Sequence, residues 1–223
     1  MPETTSDSSP HIRHLILVPA IITLGITLLR LAGELAHWSP RFFSAAAGGG
    51  MAIVGISWLP FIFGPYFAVK LTRSGHGAPS LLKAFGFVAL GFVVLFVAVI
   101  VGFLPKFNYP GKQVVGYLLL ALAASVVTLG WPALFRVLVA YGYAARIPVA
   151  ILMLFAIHGQ WGTHYDALPP MYAGSTSFFK LYMQIAFLPQ MILWIVQTVL
   201  VGALAGAIVT ALMFRGRKMA AAS

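Results

Sequence analysis

Arg30, Glu34 and His37 follow one another at intervals of four and three residues, the spacing that sets side chains on one face of an α-helix. Further along, His158, Gln160, Trp161, Thr163, His164, Tyr165 and Asp166 crowd into nine residues. A Glu-x-x-His pair and a His-x-Asp pair together offer four metal ligands, Glu34, His37, His164 and Asp166. That mixture of carboxylate and imidazole suits zinc or iron, with an open coordination position if the ion is to activate water. A second chemistry fits the same residues: Arg30 holds an anion while Glu34 or a histidine exchanges a proton, because ionisable groups inside membrane spans are functional candidates by default. A third is structural, with Arg30 and Glu34 neutralising each other near the membrane boundary and His and Trp residues forming part of the interfacial belt.

The wider sequence narrows these options. HExxH, GxSxG and P-loop motifs do not occur, and the two half-motifs of the metal set lie more than 100 residues apart. The absence of cysteine excludes disulfides, thiolate metal sites, cysteine nucleophiles and CxxCH haem attachment. Histidine pairs at either end of a bundle, His37 with His158 and His14 with His76, are the remaining way to ligate haem, but His76 lies between two glycines. Of the four acidic residues, Glu3 and Asp7 fall in a polar leading segment, which leaves Glu34 and Asp166 as the carboxylates of the apolar body.

The elements that position these groups are set by hydropathy. Hydrophobic residues make up 61% of the chain, charged residues 8%, and the mean hydropathy is +0.95, a balance that belongs in lipid rather than water. Long apolar runs without alternation favour helices over a barrel. The expected fold class is an all-α, polytopic membrane bundle of about six helices over 12–36, 46–69, 81–104, 114–137, 144–161 and 189–213, with a polar tail over 1–11, a basic tail over 215–223 and an outer loop over 158–177. The fifth span is short and opens on Arg146 and Pro148, and Pro189 is expected to divide the last apolar stretch into an amphipathic lead and a span. The leading apolar run continues into Arg30 and Glu34 without a small-residue cleavage site, so it is read as a retained span.

A net charge of +10 raises nucleic acid as a partner, but the basic residues stand at the ends of apolar runs rather than in one patch, which points instead to membrane anchoring. With the N-terminus inside, nine basic residues (Arg13, Lys70, Arg73, Lys83, Arg136, Arg146, Arg215, Arg217 and Lys218) are cytoplasmic, against four outside (Arg41, Lys106, Lys112 and Lys180). This asymmetry orients both ends to the cytoplasm, as in a bacterial inner membrane, and draws anionic lipids to that face. A helix starting near Ile12 carries Arg30 roughly 27 Å and Glu34 roughly 33 Å along its axis, near the outer boundary.

Thr198, Gly202, Gly206 and Thr210 recur every four residues and form a small-residue ridge for close helix packing, within the bundle or between subunits. Gln190 and Gln197, seven apart, share a face and are expected to hydrogen-bond inside the bundle. Gly48-Gly49-Gly50, Pro60 and Gly64-Pro65 interrupt the second span, either as a broken helix that lines a transporter cavity or, the favoured reading, as a simple bend. The block FRVLVAYGYAARIPVAILML, residues 135–154, resembles a block in Yip1-type membrane proteins; it holds no specific motif, and neither membership nor any residue role is carried over from it. The leading expectation is a small permease or accessory membrane subunit whose outer-face polar site is drawn from Arg30, Glu34, His37, His158, Trp161, His164, Tyr165 and Asp166. A metal-dependent membrane hydrolase is the alternative.

Overall fold

A computed structural model describes residues 12–172, Gly174 and 177–220, without the side chains of Met171 and 215–220. The polar tail over 1–11, the last three residues, and the side chains of Arg215, Arg217 and Lys218 therefore lie outside the described residues. Those described are 75% helix with no strand, and five helical stretches among them are long and apolar enough to cross a membrane. The chain runs through α1 (Ile12–Leu35), α2 (Pro60–Arg73), α3 (Leu81–Phe103), α4 (Lys112–Ser125), α5 (Val127–Gly130), α6 (Pro132–Gly159), α7 (Phe178–Tyr182) and α8 (Trp194–Ala220). Large apolar side chains such as Leu17, Ile21, Leu90, Phe96, Leu118 and Leu212 point away from the core, as lipid permits. Inside, Phe67, Leu71, Leu120, Trp131, Leu134, Leu138, Tyr141 and Leu200 are buried together between α2, α4, α6 and α8.

Local chemistry sets the helix ends. The Ser80 hydroxyl accepts the Lys83 N–H at 3.4 Å and caps α3. Pro60 opens α2 at a position where a missing N–H costs nothing. Trp131 precedes Pro132, and the proline ring drives the residue before it out of the helical region; Trp131 is accordingly extended, its indole N–H bonded to the His76 carbonyl at 3.0 Å, and α6 begins just after it.

Three expected boundaries are corrected by these ends. The second expected helix, 46–69, is realised only as Pro60–Arg73. Residues before it form a short 3-10 turn, Ala47–Gly49, in which Gly48, Gly49 and Gly50 all take positive φ, a conformation that ends regular helix. The expected fourth and fifth spans, 114–137 and 144–161, are redivided: the break falls at Trp131, and α6 then runs for 28 residues with Pro148 inside it. Arg146, expected at the start of a span, thus lies 14 residues after Pro132 and 13 before Gly159, roughly 20 Å from either end. Pro189 does not divide the last stretch either. Phe178–Phe214 is continuous, and π-helical turns over Met183–Phe187 and Pro189–Leu193 absorb the missing proline N–H by widening the helix.

The small-residue ridge is used inside the chain. A Cβ on Gly64 of α2 would strike the backbone of Gly202 in α8, and one on Gly206 would stand 2.8 Å from Ala68 Cβ. With Thr198 and Thr210 also buried, α2 and α6 cover the ridge within the chain. Gly64→Val should therefore lower thermal stability in detergent by at least about 1–3 kcal/mol, whereas Gly25→Val, at a position with open space around it, should be neutral. Equal tolerance of the two substitutions would contradict this packing.

Candidate functional site

Arg30 and Glu34 stand one turn apart near the end of α1, and both are buried. Arg30 Nε donates to Glu34 Oε1 at 2.7 Å. Its Nη2 donates to the Gly49 carbonyl at 2.8 Å and the Ser44 carbonyl at 3.1 Å, which pins the irregular segment that precedes α2. A Cβ on either Gly49 or Gly55 would stand 3.0 Å from a guanidinium nitrogen, so these glycines make room for Arg30.

The Glu34 carboxylate also reaches the loop after α6. It accepts the His164 backbone N–H at 2.8 Å and the His164 Nδ1–H at 2.6 Å to Oε1 and 2.8 Å to Oε2. Opposite a carboxylate, Nδ1 carries the proton. Burial, seconded by the Arg30 charge, pulls the His164 pKa below its ordinary value against the opposing hydrogen bond from Glu34. The imidazole is therefore neutral at pH 7. Asp166 shapes this loop: its Oδ2 accepts the Gly162 N–H at 2.8 Å, and its Oδ1 accepts the Thr163 N–H at 2.8 Å and the Thr163 hydroxyl at 2.6 Å. The tight turn so formed presents His164 to Glu34. Tyr165 follows with its ring 3.8 Å from that of His164, and its hydroxyl donates to the Thr27 carbonyl at 3.2 Å. Burial pushes the Tyr165 phenol up, so it stays neutral.

Of the eight residues expected to form a pocket, Arg30, Glu34, His164 and Tyr165 come together, with Asp166 beside them as the group that holds the loop. His37 does not join them. It terminates α1 at φ 52°, in the left-handed conformation, and its side chain is exposed. His158 packs edge-on against Phe178 with ring centroids 5.7 Å apart, and Trp161 covers Gly159; both are exposed. The expected metal set is not assembled either, since His37 points outward and the Asp166 carboxylate is occupied by Gly162 and Thr163. Among the described residues no three His, Asp or Glu side chains converge on one ion.

A cavity of about 270 Å³ lies beside the network. Thr27 and Arg30 of α1, Gly49, Gly55 and Ser57 of the irregular segment, and Arg146, Val149 and Met153 of α6 line it, together with His164, Tyr165, Gln184, Gln190 and Trp194. Arg146 is 4% exposed. Its Nη1 donates to Gln190 Oε1 at 3.4 Å, and its guanidinium carbon stands 4.5 Å from the Trp194 ring centroid. Neither partner is an anion. Of the two described carboxylates, Glu34 serves Arg30 and His164 and Asp166 serves its own turn, so among the described residues Arg146 carries a charge that no carboxylate balances. Burial of such a charge costs several kcal/mol, of which a desolvated cation–π contact returns roughly 2.

Arg146, Gly49 and Gly55 are the site residues that sequence reasoning missed. Gln190 hydrogen-bonds inside the bundle, as expected, whereas Gln197 Nε2 donates to the Ser57 carbonyl at 2.9 Å in an exposed contact. No protein-family model matches the chain, and neither a curated protein nor a solved structure does. The likeness of residues 135–154 to Yip1-type proteins thus gains no support at the level of a family.

Proposed function

We propose that the protein is a small permease for an organic anion, held in the cavity by Arg146. The observation that carries this reading is the buried, carboxylate-free guanidinium of Arg146 on a cavity wall. A ligand anion supplies the missing countercharge. Support also comes from the backbone around it. Non-helical or widened chain at membrane depth persists where it lines a polar cavity, and here both irregular stretches, around Gly49 to Ser57 and around Gln184 to Gln190, border the same space. The arrangement includes six crossings with both ends cytoplasmic, the second formed by α2 together with the segment before it, in a membrane of the bacterial inner type. Arg30, Glu34 and His164 then lie toward the outer face and clamp the two loops that border the cavity.

The test is uptake of radiolabelled benzenesulfonate, which stays ionised and crosses lipid poorly, into proteoliposomes. Uptake should exceed that of protein-free vesicles several-fold and vanish in Arg146→Gln; equal uptake with and without protein would refute the proposal. Because the chain has no native cysteine, its orientation is checked with single cysteines in intact cells. Asn108→Cys should react with an impermeant reagent and Ser74→Cys should not; the opposite pattern would invert the topology.

A further inference from the structure

Resting on the anion-permease reading, we infer that the ligand is a compact monovalent anion with an apolar body, and that a dianion of the same body is rejected. Net charge governs what a site walled by buried side chains can hold. Arg30 and Glu34 cancel in a 2.7 Å ion pair, and His164 is neutral. Arg146 therefore leaves one positive charge on the cavity. A monoanion brings the site to neutrality, whereas a dianion leaves one buried negative charge with no cation to meet it, because the Arg30 guanidinium already serves Glu34, Ser44 and Gly49.

The remaining walls set the body of the ligand. The side chains of Ile26, Ile56, Val149, Met153 and Ile185 offer apolar contact, and the Trp194 ring adds to it beside the guanidinium. A volume of about 270 Å³ stands at the small end of ligand cavities, which run from roughly 300 to 1,000 Å³. Gln190 contacts Arg146 Nη1 at 3.4 Å and Met153 Sδ at 3.5 Å and so fixes one edge of the guanidinium.

Isothermal calorimetry on the full chain in a nonionic detergent at pH 7.5 separates the possibilities with three ligands of one shape: benzenesulfonate, benzene-1,3-disulfonate and neutral benzenesulfonamide. Benzenesulfonate should bind about 10- to 100-fold more tightly than either of the others, the range of one charge-assisted hydrogen-bonded contact. Disulfonate binding as tight as or tighter than that of the monosulfonate would overturn the monoanion inference and leave the anion-permease reading standing. No preference of the anions over the sulfonamide, or no binding at all, would overturn both.

Discussion

Arg146→Met should make the protein more stable and leave it unable to bind an anion. A functional charge and a structural one respond oppositely to this substitution. Methionine keeps the apolar stem, fits the buried site and removes the cost of desolvating a guanidinium that has only an amide oxygen and an indole face as partners. Replacing buried charge with apolar volume stabilises by about 1–4 kcal/mol in comparable cases. Thermal unfolding in detergent should therefore move upward in Arg146→Met, and added benzenesulfonate, which should raise the midpoint of the wild-type protein by mass action, should leave the variant unmoved. A lowered midpoint in the variant would mean that Arg146 holds α6 to α8 as a structural tie.

The opposite sign is expected at Glu34. Its side chain is fully buried and answers Arg30 and both donors of His164, so Glu34→Ala leaves a guanidinium without its anion and two N–H groups without their acceptor. Breaking a buried pair from one side costs about 3–5 kcal/mol. Removing the charge from both sides, with Arg30→Met and Glu34→Leu together, should recover part of that loss, although the Ser44 and Gly49 carbonyls then lose their donor. The same network gives stability a pH dependence whose sign follows from His164. Its pKa in the fold is lower than in the unfolded chain, so below about pH 6.5 the unfolded state binds more protons, and stability falls as the pH drops through that range. A flat profile from pH 7.5 to 5 would show that His164 does not titrate out of this contact.

Much of the polar network was legible in the sequence because it is local. Arg30 and Glu34 lie four residues apart in a helix that hydropathy marks plainly, and the scarcity of carboxylates directs attention to His164, the one residue across the gap that meets Glu34. His37 was misplaced for an equally local reason: the helix ends at Leu35, and the left-handed turn at His37 throws its ring outward. Arg146 was hidden by the company it keeps. An arginine two residues before a proline reads as the polar edge of a span, and the positive-inside count absorbs it as a cytoplasmic charge. The break that sets the helix is at Trp131 and Pro132 instead, and once α6 starts there Arg146 falls in its middle. The second helix is shorter than its apolar run implies because three glycines in a row, followed by Pro60, end regular structure instead of bending it. The cavity itself is made by tertiary contact between α1, the segment before α2, α6, the loop after it and the π-helical turns, and no periodicity announces it.

The most direct test of the central claim is the affinity of benzenesulfonate, measured by calorimetry, for the wild-type chain and for Arg146→Met at matched folding. With the positive charge gone from the cavity, the account predicts a loss of affinity of about 30-fold or more, since removing one member of a buried charge contact costs 2–5 kcal/mol, with a thermal midpoint no lower than that of the wild type. Equal affinity in the two proteins would contradict it and place the anion, and the function, elsewhere in the chain.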